Sequence, residues 1–494
     1  MGKKEKTTKL ISVMVSATLA TGMVPAAAFA QQAADAAAQG ALAPDQGVEN
    51  VDQTATEPAK AAEVEAQQQV EPEASVQLLE AETPASQAMS GDCGATESDH
   101  VTWALTQNNA GDENPTYTLT ISGIGAMADY ACNIIRDDAT QPWRKISTGI
   151  DVASINAVII EEGVTSIGAF AFNGVGPSAA SATLGNCMNY RIADSVETVG
   201  DWAVQSGNVG TWTGAVTEGS KGLVVKDGAL YTKDGSTLLD YPGAANACDS
   251  VMIPIGVVDI ASGAFNGCDA KNVTFPDGVK TVGGWLFSAS QTESVSFGGG
   301  LKSIGSGAFS GVSTLKSIEF RGDGDKLTIG NQAFNATGIK GISLPAGIVS
   351  IGDSAFKQCP NLTDVSFKGK DPNLSIGKQV FLACPELKIV TLPEGISKID
   401  DRAFHNSAKL ELVSFGGAAK DLVIGGGAFT GTALSSIEFP AGIKRIGETS
   451  FNSLSTLKTI SFAGDVSGDG LEIDRYAFQN SGLTSVSLPE GIKR

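Results

Sequence analysis

The chain has 494 residues, with 34 Lys and Arg against 54 Asp and Glu, a formal net charge of -20 and 42% hydrophobic residues. That length exceeds one ordinary core and calls for several domains or one long repeat array. The acidic excess excludes nucleic acid as the main partner, since phosphate binding needs clustered Lys and Arg, and it disfavours adsorption to anionic lipid.

The N-terminus has the layout of an export signal. Lys3, Lys4, Lys6 and Lys9 form a positive n-region, Leu10 to Met23 an apolar stretch, and Ala28-Phe29-Ala30 fits the small-x-small cleavage rule. The rival reading is an uncleaved anchor, because the stretch is nearly long enough to span a bilayer. Pro25 and the Ala-rich cleavage region favour removal of residues 1–30. An extracytoplasmic protein, secreted or at the cell surface, is expected, with no membrane insertion after cleavage. No Cys follows the site, so a lipid anchor is not expected.

Between residues 31 and 90 Ala, Gln, Glu and Pro dominate, with a single Lys (Lys60). Such a segment buries too little apolar area to offset an ordering entropy of roughly 1–2 kcal/mol per residue, so a disordered linker is expected. An Ala/Glu helix between Ala59 and Gln69 would have nothing to pack on. Residues 91–154 read as a small β cap: Val101 to Leu105 and Tyr117 to Gly123 alternate as strands do, and Cys93 and Cys132 share this module. A cap suits a repeat array, whose first coil otherwise exposes free strand edges.

From residue 155 onward one phrase recurs, Ile-Gly-x-x-Ala-Phe. Its Phe falls at 172, 265, 287, 309, 334, 356, 381, 404, 429, 451 and 478, and Val204 holds the slot in a degenerate copy. From Phe287 the spacings run 22, 25, 22, 25, 23, 25, 22 and 27, which suggests a two-repeat unit, one member carrying about three extra residues in a loop. A second phrase, Leu-x-x-Val-x-Leu/Phe, lies between the Phe residues, as in Leu362-Thr363-Asp364-Val365-Ser366-Phe367. It alternates apolar and polar residues and often ends in Leu-Pro-x-Gly, a strand followed by a bend. Each unit is too short to hide its own apolar row, so stacking in parallel is required. The expected fold is a β-rich, leucine-rich-repeat-like solenoid of stacked parallel strands over 155–494, with the repeated Phe in one interior column.

These phrases resemble the bacterial BspA-like leucine-rich repeat family, whose unit reads approximately Leu-x-x-Ile-x-Leu-Pro-x-x-Val-x-x-Ile-Gly-x-x-Ala-Phe-x-x-Cys. Ile351-Gly352-Asp353-Ser354-Ala355-Phe356-Lys357-Gln358-Cys359 carries that phrase almost letter for letter. The resemblance implies a surface or secreted protein, several members acting as adhesins toward host or microbial partners. Gly222 to Pro242, with turns at Asp227-Gly228 and Asp234-Gly235, looks like the β-hairpin insert of such arrays. The insert, about 205–250, explains the gap between Val204 and Phe265 and is expected as an ornament rather than a binding arm.

Seven Cys in a chain of this length are not a disulfide scaffold. Register makes Cys187 with Cys248, and Cys359 with Cys384, candidate disulfides between stacked coils, against the alternative of buried free thiols. Cys268 holds the latter slot alone.

No catalytic, cofactor-binding or metal-ligating set emerges, and no enzyme activity is expected. The two histidines, His100 and His405, lie in different modules without metal-binding spacing, and His405 reads as a solvent-facing substitution. Gly425-Gly426-Gly427 resembles a phosphate loop only superficially, since no Gly-Lys-Ser/Thr follows. Asp465, Asp469 and Asp474 do not match a Ca²⁺ loop and read as turn acids. Arg321-Gly322-Asp323 is an integrin-type tripeptide that such a composition also yields by chance.

The candidate contact face is the row of outward strand positions Thr274, Ser296, Glu319, Ser343, Ser366, Thr391, Ser414, Glu438, Ser461 and Ser487. A parallel row begins Asn272, Ser294, Ser317, Gly341, Asp364 and is interrupted by Ile389 and Leu412. Such a hydroxyl-rich surface, poor in aromatic and Arg anchors, suits weak multivalent contact with protein or cell-surface ligands, or merely solvates the sheet. The functional expectation is a surface interaction or adhesion protein. Its alternative is a passive spacer for, or accessory to, a domain beyond the C-terminus, because the sequence stops just before the next Ile-Gly phrase and looks truncated.

Overall fold

The computed structural model describes residues 89–109, 111–130, 141–143, 152–173, 189–204, 211–242, 249–370, 374–464, 466, 470–490 and 492–493. The export signal, the linker up to residue 88 with its Ala59–Gln69 segment, and Cys132, Cys187, Cys248, Asp465 and Asp469 lie outside these residues.

Three strands open the described chain. β1 (Met89–Asp92) pairs antiparallel with β2 (His100–Gln107), and β2 with β3 (Tyr117–Ala126). Val101, Trp103 and Leu105 alternate inward, the period of a half-buried strand. The start of β3 pairs in parallel with β4 (Ile155–Ile160) and its end with β5 (Val164–Ile167). The expected cap is therefore also the first rung of the array. Strands β6 (Asn189–Ile192) and β7 (Thr198–Val199) extend the two sides. Beneath them Trp143 stacks on Phe172 at 5.8 Å, with Trp103 and Tyr130 at its edges.

The hairpin insert has the expected turns, and Asp227 and Gly228 take the positive φ values (50° and 78°) of a tight hairpin. Its role differs from an ornament. Strands β8 (Leu223–Lys226), β9 (Ala229–Thr232) and β10 (Thr237–Asp240) form one end of a 14-stranded sheet, β10 pairing in parallel with Asp259–Ile260. Ala229, Leu230, Tyr231 and Leu238 are buried, so the hairpin supplies core and covers the coil behind it.

Each later coil as far as Leu471–Ile473 gives one strand to each of two faces. The long face continues through Thr281–Val282, Ser303–Ile304, Leu327–Ile329, Ile348–Ile351, Ser375–Ile376, Lys398–Ile399, Leu422–Ile424, Ile443–Ile446, Leu471–Ile473 and Ile492–Lys493. The other face carries the Leu-x-x-Val-x-Leu/Phe strands. Between them stands the expected column: Tyr241 and the Phe residues from Phe265 to Phe478 stack at 4.8–5.3 Å with planes 7–20° apart. Ring spacing follows strand spacing, so each ring meets its neighbour in offset contact.

The glycine of Ile-Gly is a close-approach position. A Cβ on Gly330 or Gly425 would come within 2.6 and 2.5 Å of backbone nitrogens in the preceding coil. The three extra residues of alternate coils divide between two places. Phe320 to Ile329 is two residues longer than Leu344 to Ile351, and Phe309 to Phe320 one residue longer than Phe334 to Leu344.

Candidate interaction surface

The proposed contact row is in register where its strands pair. Thr274 lies beside Ser296, Ser296 beside Glu319, Ser343 beside Ser366, Thr391 beside Ser414 and Glu438 beside Ser461. Ser296 Oγ donates to Glu319 Oε2 at 3.0 Å, and Ser414 Oγ to Thr391 Oγ1 at 3.4 Å. The row is not one sheet. It divides after Glu319 and again after Ser414, giving sheets of four, four and two strands, and Ser487 lies outside any strand. At each interruption a Phe-to-strand-end spacing of eleven is followed by one of ten, as from Phe309 to Phe320 and then from Phe334 to Leu344. On the neighbouring row Ile389 and Leu412 are paired and exposed, at 44% and 48%.

The continuous face is the other one, built from strands as short as two residues that the sequence pattern does not mark. Its outward positions run Thr281, Ser303, Thr328, Ser350, Ser375, Lys398, Val423, Arg445 and Glu472, neighbour to neighbour. Hydroxyls give way to charge at Lys398, and there an open trough of about 680 Å³ lies over Val423 and Gly425–Gly427. The coil before it and the second coil after it replace the close-approach glycine with a carboxylate, Asp400 and Asp474, while the coil between keeps Gly447. Lys398 Nζ meets Asp400 Oδ2 at 2.6 Å, and Arg445 holds Asp474 Oδ2 through Nε and Nη2 at 3.1 and 2.8 Å. Burial pushes the Asp400 carboxyl up, but the Lys398 ammonium and the Asp401 N–H outweigh it and hold it below its ordinary range. Asp474, expected as a solvated turn acid, is thus an ion-pair partner.

Cys359 and Cys384 occupy the same slot of adjacent coils and are thiols, against the candidate disulfide between them. In these three coils the slot holds hydrogen-bond donors: Cys359 Sγ, Cys384 Sγ and Ser407 Oγ donate to the carbonyls of Phe334, Phe356 and Phe381 in the preceding coils at 3.2, 3.1 and 2.7 Å. The bond to Cys359 and burial raise the Cys384 thiol well above its ordinary value. Cys187 and Cys248 are outside the described residues. His405 is not solvent-facing as expected: its ring is half-buried, Nδ1 is shut in without a partner, and burial holds its pKa below the ordinary value. Arg321 Nη2 donates to the Phe275 carbonyl at 2.6 Å, which pins the Arg of Arg321-Gly322-Asp323 against the fold. Among the described residues no group of three or more His, Cys, Asp or Glu is placed to hold a metal, and no helix is long and apolar enough to cross a membrane.

A family model described as BspA type Leucine rich repeat region matches residues 244–363, 323–423 and 422–494, in six copies. No curated protein matches the chain. Among solved structures it is similar to a leucine-rich repeat protein from Bacteroides ovatus, at 20% identity over 78% of this chain and 98% of that one, TM-score 0.39. A leucine-rich repeat protein from Eubacterium ventriosum gives 20% identity, 82% and 98% coverage and a TM-score of 0.33. A leucine rich cell surface protein from Faecalibacterium prausnitzii gives 20%, 81% and 99%, and 0.31.

Proposed function

Because the chain belongs to the BspA-type leucine-rich repeat family, we propose that it is a secreted or cell-surface interaction protein that adheres to protein or cell-surface partners through its strand faces. The observation that carries this reading is the regular outward presentation of polar side chains, one per coil, from strands whose inner positions are fully committed to the core. Few Trp, Tyr or Arg anchors stand on the hydroxyl-rich rows, so affinity comes from many weak contacts repeated at coil spacing. Binding, and not turnover, is the chemistry such a surface supports.

Binding of the full chain to immobilised matrix proteins and to microbial cells tests the proposal. Saturable binding is expected, weakened when Ser296, Ser366 and Ser414 are changed together to Lys. Absence of saturable binding removes the adhesive role and favours a spacer. Binding unchanged by the triple substitution moves the contact off that row. Export predicts a mature N-terminus at Gln31, read by N-terminal sequencing of the secreted protein.

A further inference from the structure

The second x of Ile-Gly-x-x-Ala-Phe sits in left-handed backbone, where glycine costs least. Four corners fill it alternately with the largest side chain and the smallest: Trp202, Gly263, Trp285 and Gly307, at φ values of 57°, 72°, 49° and 64°. Each indole lies across the glycine that follows it. A Cβ on Gly263 would come within 2.8 Å of Cε3 and Cζ3 and 3.0 Å of Cδ2 of Trp202. One on Gly307 would come within 2.7 Å of Cδ2 and Cε2 and 3.0 Å of Cε3 of Trp285. Similar distances to adjoining atoms, the inner Cδ2 among them, place each glycine under the flat of the ring and not at its rim. Both glycines are buried beneath indoles that stay partly exposed, so the opposite face of each ring turns outward.

The coils of Gly263 and Gly307 are two strand spacings apart, Asp259 pairing with Thr281 and Thr281 with Ser303. The two outward ring faces therefore repeat at about 10 Å along the array. On the same coils the outward strand positions Thr237, Asp259, Thr281 and Ser303 run in register as hydroxyls and a carboxylate. A cavity of about 300 Å³, the lower end for small-ligand clefts, joins the first ring to that row, with Asp201, Thr232, Thr237, Asp259 and Ser262 in its wall beside Trp202. Among the described residues its lining holds no Lys or Arg.

An indole face takes the C–H face of a pyranose ring, and carboxylates accept from sugar hydroxyls. A nucleobase, another flat ligand, brings phosphate that a chain of net charge -20 repels. In a β-1,4-linked glycan equivalent sugars recur once per disaccharide, a length close to two coils, whereas an α-1,4-linked chain winds into a helix. We propose that this corner binds a neutral β-1,4-linked glycan laid along the array, alternate pyranose rings stacked on Trp202 and Trp285 and hydroxyls donated to Asp201 and Asp259. The site goes beyond the adhesive rows and uses none of Ser296, Ser366 and Ser414. The chain with those three changed to Lys should bind glycan as the parent does, so either proposal can fail without the other.

Cellohexaose and chitohexaose titrated into the full chain by calorimetry, with indole fluorescence read alongside, are the test. Saturable binding of at least one is expected, and the one that binds distinguishes plain glucan from its N-acetylated counterpart. Cellobiose and chitobiose, too short to reach both rings, should bind at least about tenfold more weakly. Maltohexaose and pentalysine should neither bind nor compete. Trp202→Gln and Trp285→Gln each remove one platform and should weaken the hexasaccharide at least about tenfold. Gln332 and Gln379 hold the same slot at φ values of 56° and 57°, so the backbone accepts the replacement, and a cooperative urea transition confirms folding. No saturable binding of either hexasaccharide, equal binding of the disaccharides or of maltohexaose, displacement by pentalysine, or full binding by either Gln chain overturns the proposal.

Discussion

Phe356 and Phe381 stack with ring centroids 5.3 Å apart and planes 10° apart, fully buried, with Phe334 and Phe404 continuing the column on either side. Removing one ring therefore opens a void against two neighbouring coils. Phe356→Ala is expected to cost about 3–5 kcal/mol, measured by urea unfolding, whereas Ser366→Ala on the outward face of the same coil should stay within about 0.5 kcal/mol. Similar costs for the two would contradict the column's role.

Cys359 and Cys384 act as donors to backbone carbonyls, so Ser is a better replacement than an apolar residue of similar size. Cys384→Ser should be tolerated, as Ser407 is in the same slot, and Cys384→Val should lose about 1–3 kcal/mol by removing the donor to the Phe356 carbonyl. Alkylation separates thiols from disulfide. Both residues should resist iodoacetamide in the native chain and react after unfolding without reductant.

His405 makes stability depend on pH in a definite direction. Its folded pKa lies below the ordinary 6.5 because the ring is buried, so the unfolded chain binds the proton more tightly. The stability from a neutral ring is complete above that ordinary value and is lost as pH falls through it toward the folded pKa. Urea midpoints at about pH 7.5 and about pH 5.5 should differ, and His405→Gln should reduce the difference.

Arg321 is tied to Phe275 in the coil two earlier, which gives Arg321-Gly322-Asp323 a structural reading. Arg321→Ala should lower stability by about 1.5–3 kcal/mol, the range for a hydrogen bond to a charged group. Asp323→Ala should leave both stability and attachment to integrin-bearing cells unchanged. Loss of attachment with Asp323→Ala would restore the tripeptide as a recognition element.

The Phe column was legible because one residue type recurs at the pitch of the coil, and the hairpin because Asp-Gly twice marks its turns. The continuous face was not. Strands such as Thr281–Val282 and Ser303–Ile304 are two residues long, too short for alternation to register, and their outward residues hide in the variable positions before Ile-Gly. The division between Glu319 and Ser343 accompanies one residue fewer in a corner, which a repeat aligned on Phe absorbs silently. Gly425-Gly426-Gly427 stands out in the sequence, where it resembles a phosphate loop only superficially. Its meaning lies in contrast with Asp401-Arg402 and Glu448-Thr449, coils brought alongside only by stacking.

The alternation of loop length sets a scale of its own. Loops such as Arg321–Lys326 and the short turn at Pro345–Gly347 follow one another coil by coil, so that edge repeats at about 10 Å and not at about 5 Å. A partner gripping the edge and sliding by one coil meets a notch where it had a tooth. It regains its contacts only after two. A grip on that edge would thus find half as many equivalent places to re-form as one on the continuous face.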